Sequence, residues 1–347
     1  MTDAIDIDVV IPVWNRPKET RNCLVNLINN TPQSRLIMLD IGSDRETEKM
    51  LQEFADGLEE RALLMRDDSN IGFIKAANRG LQRCEAPFMA LVRNTTEVPE
   101  GWLKPLLEFA RTHPEAGILC PCLSEGSGEA VCHSPSEVAA ASFSALVITR
   151  KAFEALGGFD EGLDGADWCL RDYTRRACAK GFLTYRVPGP VVGCQEEKPM
   201  GSIRRRKETI ERSRALFTER WGQGMNYLVH VPKGVTLEHL HEKLAWLVKG
   251  ARYGDHYQVL VPALLCKAAE HAKIGILHEN IQLVPLPRFA LASTRRHLFE
   301  RMVAEHPGNV PVTAVDGIAF PWSQKYLSFS ELAERIERLT QAPSQVD

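Results

Sequence analysis

The sequence predicts an α/β protein: an open, mostly parallel sheet flanked by helices, followed by a second, smaller α/β unit. Three observations predict it. Short β-branched runs alternate with helix-spaced segments over the first 115 residues; the runs are continuously apolar, as in strands buried on both faces; and the alternation, broken over 116–200, restarts after Gly222-Gln223-Gly224. With 347 residues, 44% hydrophobic and 25% charged, the chain can fill two ordinary cores and shows none of the bias of a disordered, collagen-like or coiled-coil sequence.

Asp8–Val13 (DVVIPV) is a strand, and Pro17 suits the first turn of the helix that follows, where Cys23, Leu24, Leu27 and Ile28 recur at helical spacing. Arg35–Leu39 is the second strand, stopped by Asp40-Ile41-Gly42-Ser43-Asp44. Glu46–Leu58 reads as a helix, Ala62–Met65 as a strand, Lys75–Gln82 as a helix, Phe88–Val92 as a strand and Gly101–Thr112 as a helix. In such a sheet ligands bind at the carboxyl ends of the strands, which is where chemistry is expected. Beyond it, Ile118–Cys120, Ser144–Thr149 and Thr184–Pro188 are strands, Arg150–Leu156 and Asp167–Ala179 helices, with a turn at Gly157-Gly158-Phe159-Asp160. A helix over Ser202–Trp221 opens on Arg204-Arg205-Arg206-Lys207, a run expected to be a solvated helix start. Four strands (Tyr227–Val231, Gln258–Val261, Ile281–Pro285, Val312–Val315) and four helices (Leu237–Val248, Ala263–Ala272, Arg295–Ala304, Ser330–Leu339) complete the chain, so domains are expected over 1–222 and 225–347.

A formal net charge of −3 supplies no field for nucleic acid, and no stretch approaches the roughly 18 apolar residues of a spanning helix. The acidic, signal-free N-terminal stretch predicts a cytoplasmic protein. The nine scattered cysteines suit reduced thiols rather than a disulfide framework, and Cys120, Cys122, Cys132 and His133 match no common zinc spacing.

Five blocks, in order, carry a resemblance. Val10-Ile11-Pro12-Val13-Trp14-Asn15-Arg16-Pro17 is similar to VIPVYNRP, Leu39–Asp44 to VDDGSTD, and Asn70–Gly80 to NxGxxxAxNxG. Glu97–Leu103 is similar to the stretch that follows an acidic metal motif; Gly157–Glu161 with Asp167–Arg171 is similar to GGFDE and DLCLR. Together they resemble the family 2 nucleotide-sugar glycosyltransferases of the GT-A fold, over roughly Asp8–Gly222. The resemblance implies a nucleotide-binding crevice formed by Pro12, Val13, Asn15, Asp40, Asn70, Gly72, Lys75 and Thr95. Asp40 would accept a base N–H or ribose hydroxyl; the plainer alternative is a cap on the turn through Gly42. Asn70 is explained equally by a helix start, while Gly72 admits close approach and Lys75 reaches for phosphate.

Three departures stand out. Thr95-Thr96-Glu97 occupies the place of the acidic motif that holds Mn²⁺ or Mg²⁺, leaving Glu97 as the metal anchor and the metal weakly held or lost; Arg93 beside it is a surface arginine or a replacement charge. Asp164-Gly165 stands where the family has an acidic pair, so the general base is Asp164 or Asp167, both also explained as helix capping. Cys194 lies where relatives carry a metal-binding histidine. The expected function is inverting transfer from a UDP- or dTDP-sugar to a saccharide, lipid-linked or protein acceptor of cell-surface polysaccharide assembly. The alternative is a degenerate glycosyltransferase-like binding or scaffold protein. Residues 225–347 match no family, and their expected role is to position an acceptor or form a homo-oligomer.

Overall fold

The computed structural model describes residues 6–125, 132–194, 202–272, 277–286, 292–305 and 308–341. In chain order the elements are β1 (Ile7–Val13), α1 (Pro17–Asn30), β2 (Ser34–Ile41), α2 (Arg45–Leu58), β3 (Ala62–Asp67), α3 (Phe73–Leu81), β4 (Phe88–Val92), β5 (Thr96–Glu97), α4 (Lys104–Thr112), β6 (Ala116–Glu125) and β7 (Ser136–Glu137). There follow β8 (Ala145–Thr149), α5 (Arg150–Leu156), α6 (Trp168–Ala179), β9 (Leu183–Cys194) and α7 (Ile203–Trp221). The last elements are β10 (Asn226–His230), α8 (Leu237–Arg252), β11 (His256–Pro262), α9 (Ala263–His271), β12 (Ile281–Leu286), α10 (Ala292–Glu305), β13 (Val310–Thr313) and α11 (Phe329–Gln341).

Two compact units divide the chain: Met1–Pro135 with Ala140–Phe217, and Ser136–Ala139 with Thr218–Asp347. In the first, strands run in the order β3-β2-β1-β4-β8-β6-β9-β5. The β3-β2-β1-β4 half is parallel, as expected of strands separated by helices, whereas β8 is antiparallel to both β4 and β6. Every residue of β1 is buried, which explains its unbroken apolar character. The one charge in it, Asp8, is tolerated because it takes a bidentate bond from Arg35 (2.9 and 3.2 Å) and backbone N–H groups from Glu85 and Ala86. Helix α3 lies flat on this sheet, since a Cβ at Gly80 would strike the Val10 and Leu39 side chains.

The second unit has an all-parallel sheet in the order β12-β11-β10-β13. Tyr227, Val229, Val259 and Val261 pack with residues of α8, α9 and α11, while Leu228, Leu260 and Leu286 pack with Met302 of α10 in a separate cluster. The two clusters use alternate strand residues and so cover opposite faces. The excursion Ser136–Ala139 is bound within this unit. Glu137 is 5% exposed and takes both forks of Arg252 (2.7 Å each), its N–H donates to Leu277 O (3.0 Å), and Glu279 Oε1 accepts the Ala139 N–H (2.8 Å).

One expectation is corrected. Cys122 and Cys132 are joined by a disulfide, with Cα atoms 6.1 Å apart, rather than held as thiols. Ten residues after Cys122 the chain lies beside β6 again, a return that the count and spacing of cysteines do not encode. The other seven cysteines form no disulfide. Among the described residues no helix is long and apolar enough to cross a membrane.

Candidate functional site

The ladder of the parallel half sets Val13 beside Asp40 and Asp40 beside Arg66, so three strand ends meet at one carboxyl edge. Asn15 and Arg16 then take left-handed backbone (φ 57° and 60°), turning the chain sharply before Pro17 opens α1. Hydrogen bonds fasten this first loop to the second. The Asn15 N–H donates to Ser43 Oγ (2.9 Å), Asn15 Oδ1 accepts the Asp44 N–H (2.7 Å), and Ser43 Oγ donates to Val13 O (3.4 Å). Asp40, 2% exposed, accepts the Ser43 N–H at 2.9 Å and faces Arg66 Nε at 3.3 Å; Arg66 also pairs with Glu48 at 2.7 Å. The turn-cap role of Asp40 is therefore realised, and two bonds leave acceptor capacity on a carboxylate that offers about four lone-pair directions.

The third loop closes against the second. Gly42 has φ +72° and a Cβ there would come within 2.8 Å of the Ser69 Cα, so both conformation and space demand glycine. One residue on, Asn70 Oδ1 accepts the Gly72 N–H (2.9 Å), and Gly72 (φ +90°) has open space where a side chain would project. Lys75, on the first turn of α3, is exposed.

The end of β4 joins the same rim through a residue that pattern reading passed over. Asn94 Nδ2 donates to Thr20 Oγ1 (2.8 Å), which donates to Asn15 O (3.3 Å). The only sequence signal is a polar side chain two positions after an apolar strand; its partner lies 74 positions away. Arg93 is held by its N–H to Ser144 O (3.2 Å) and by its carbonyl, which accepts the Thr96 N–H (3.0 Å) and the Cys23 thiol (3.5 Å). Burial pushes that thiol up to about 12. The Arg93 guanidinium lies 5.3 Å from the ring centroid of Phe73, the first residue of α3.

Beyond this turn Thr96 pairs with Cys194 and Glu97 with Gly193 across β5 and β9, so the altered acidic motif and the cysteine share one corner. Thr95 is buried; the Thr96 hydroxyl is committed to Ser144 O (2.8 Å); the Cys194 thiol donates to Ser124 O (3.3 Å); and Glu97 is exposed. Among the described residues no group of three His, Cys, Asp or Glu side chains could hold a metal ion. A hard divalent cation wants several anionic or carbonyl oxygens, and one carboxylate among hydroxyls and a thiol does not fit it.

On the opposite flank the turn Gly157-Gly158-Phe159 is bound to α3. Asn78, at 8% exposure, imitates a peptide group: its Oδ1 accepts the Phe159 N–H (2.8 Å) and its Nδ2 donates to Phe159 O (2.9 Å) and Glu161 Oε1 (3.2 Å). Gly158 is required there, because a Cβ would sit 2.6 Å from Asn78 Oδ1. From α6, Tyr173 donates to Gly157 O (3.0 Å) and Arg176 to Leu156 O and Gly158 O (2.9 and 2.8 Å). Two of the recognised blocks are thus halves of one joint. Phe143 extends it, meeting Phe73 edge-on at 5.1 Å and Phe159 at 5.5 Å.

Asp164 pairs with Arg212 (3.1 Å) and Asp167 with Arg171 (2.8 Å), both about half exposed. Asp167 makes no side-chain cap on α6, against the capping reading. Between them, the Gly165 N–H donates to Ser213 Oγ (3.0 Å), and a Cβ there would lie 2.7 Å from the Ile210 Cα of α7. No side chain fits at that position while α7 is seated.

Residues 8–163 match the family model described as Glycosyl transferase family 2. GalNAc-T7, solved with UDP, GalNAc and Mn²⁺, is similar in structure, with TM-score 0.53 and 17% identity over 63% of this chain and 48% of its own. S. aureus TarS is similar with TM-score 0.50 and 16% identity, over 62% of this chain and 39% of its own. The chain thus spans less than half the length of these two neighbours, and at such identities the likeness is one of fold. A search of curated proteins gives no significant match. The segment 8–163, with its parallel β3-β2-β1-β4 edge, matches the model of glycosyl transferase family 2, and its fold is that of these GT-A neighbours.

Proposed function

We propose that the first unit binds a UDP- or dTDP-sugar and transfers the sugar, with inversion, to a saccharide, lipid-linked or protein acceptor. The observation that carries this reading is the single rim into which Asn15, Asp40, Ser43 and Asn94 tie the ends of β1, β2 and β4, within the segment that matches the family. Pro12, Val13 and Asn15 offer the strand edge to the base. The lone pairs of Asp40 left after Ser43 and Arg66 accept a base N–H or ribose hydroxyl. Asn70, Gly72, Lys75 and Thr95 line the path of ribose and diphosphate.

In the transfer step the acceptor oxygen attacks the anomeric carbon on the face away from the diphosphate. The bond from that carbon to the phosphate oxygen breaks, its electron pair leaves with the nucleoside diphosphate, and the hydroxyl proton passes to Asp164 or Asp167. Each carboxylate is paired with an arginine, Asp164 with Arg212 and Asp167 with Arg171. Residues 225–347 serve acceptor placement or self-association.

A second reading is favoured by one observation: α7 fills the space at Gly165, where the family has an acid, which suits a protein that binds a nucleotide sugar without turning it over. Calorimetry with UDP and dTDP, paired with a nucleotide-release assay on UDP- and dTDP-hexoses, separates the two. Binding with release that falls in Asp164→Asn or Asp167→Asn supports the transferase; binding without release supports the degenerate protein. Failure of both nucleotides to bind refutes the nucleotide site. Asp40→Asn is the cleaner probe of the base, since it keeps an acceptor for the Ser43 N–H.

A further inference from the structure

In the second unit one face of the parallel sheet changes character along its strands. Leu228 and Leu260 pack with Met302 of α10, and two positions upstream, on that same face, stand Asn226 and Gln258. Gln282 is the register partner of Gln258 on β12. Leucine thus gives way to carboxamide at the amino edge of the sheet. Asn280, directly before β12, and Asn309, directly before β13, bring two more. Asparagine is disfavoured in strands, so solvent exposure alone gives no reason to set one on β10.

These five carboxamides line a hollow of about 200 Å³. Two of them are spent in part on the fold: Asn309 Nδ2 donates to Gln258 Oε1 (3.4 Å) and Met302 O (3.3 Å), and Asn280 Nδ2 donates to Asp255 O (3.3 Å). Asn226 and Gln282 are exposed and make no side-chain hydrogen bond among the described residues. Among the described residues neither lysine nor arginine lines the hollow, and its one carboxylate, Glu279, repels an anion. A carboxamide presents a donor and an acceptor in one plane, which suits neighbouring hydroxyls that each donate and accept. The volume falls below the roughly 300–1,000 Å³ of sites for drug-sized ligands, so a single ring suits it better than a nucleotide.

We infer that this hollow binds one uncharged sugar ring, so that the second unit holds a glycan through its hydroxyls. The inference rests on the acceptor-placement reading of residues 225–347 for its role, and adds where on that unit the acceptor is held and by what chemistry.

The test is saturation-transfer NMR of the full chain with the methyl glycosides of glucose, galactose, mannose and N-acetylglucosamine, and with glucuronate and glucose 6-phosphate as charged counterparts. Wild type, Asn226→Ala and Gln282→Ala are compared; both side chains are exposed and free of protein partners, so folding is not at stake. A ligand of about a dozen non-hydrogen atoms is expected to bind at about millimolar strength. At least one neutral glycoside should bind wild type with Kd below about 10 mM, more tightly than either charged sugar, and weaken about threefold or more in at least one alanine variant. The inference is overturned if no glycoside reaches that affinity, if a charged sugar binds as tightly, or if both variants stay within about threefold. UDP titrated into the same samples reads the first unit separately. Glycoside binding without UDP binding leaves this site standing and fails the nucleotide reading; UDP binding without glycoside binding does the reverse.

Discussion

Asn78→Ala removes a side chain that satisfies both backbone groups of Phe159 from 81 positions away. Each neutral hydrogen bond contributes about 1 kcal/mol net, and a buried amide left without a partner costs a further 1–3 kcal/mol or so. Phe159 is 4% exposed, so water reaches its N–H only through the space the truncation opens; the expected loss is about 2–4 kcal/mol. For a unit near 200 residues this lowers Tm by roughly 4–16 °C, read by calorimetry or near-ultraviolet circular dichroism of the first transition. Asn78→Asp should cost nearly as much, because a carboxylate accepts from the Phe159 N–H but cannot donate to its carbonyl and stands 3.2 Å from Glu161. Nucleotide affinity should hold within about twofold while sugar transfer falls, since the joint supports the flank bearing Asp164 and Asp167. A stability loss below about 0.5 kcal/mol in Asn78→Ala would refute the claim that this joint fixes the turn.

Gly42→Ala, at φ +72° against the Ser69 backbone, should lose more than about 2 kcal/mol in urea unfolding; a neutral result would mean the two loops are not in contact. Cys23 and Cys84, both pushed up to about 12 by burial, should stay unmodified by a thiol reagent at pH 8 in the folded protein and react on unfolding. The Asp316 carboxyl is held below its usual range, chiefly by the Ser330 hydroxyl and also by the Ser330 and Phe329 N–H groups at the start of α11. Its folded value being the lower one, the stability it gives is full above about pH 4 and drains away as pH falls through the folded value. Wild type should therefore lose more stability than Asp316→Asn between pH 5 and 2, measured by urea unfolding at each pH.

The apolar strands were legible because burial on both faces leaves continuous runs such as those of β1 and β4, and because Pro17 and the Gly42-Ser43 turn punctuate them. β6 and β9 extend well past their apolar centres, since a ladder with irregular register carries polar residues that no run can show. β5 and β7, two residues each, are too short for any period. At the site, motif order named Asn15, Asp40, Asn70 and the turn at Gly158, yet the Asn94–Thr20–Asn15 relay and the pairing of Asp40 with Arg66 join residues distant in sequence. Such contacts leave no periodic trace. The Cys122–Cys132 bond was missed for the same reason, being a matter of where the chain returns rather than of how many cysteines it has.

The four residues Ser136–Ala139 impose an order on synthesis. When a ribosome has delivered Phe217, all of the first unit's sequence exists, but a short stretch from its middle still lacks its lodging: Arg252, the cation for Glu137, emerges 115 residues after it, and Leu277 and Glu279 later still. Until then Glu137 lacks the guanidinium that pairs with it in the folded chain, so this part of the second unit's packing is completed only after both halves have been made.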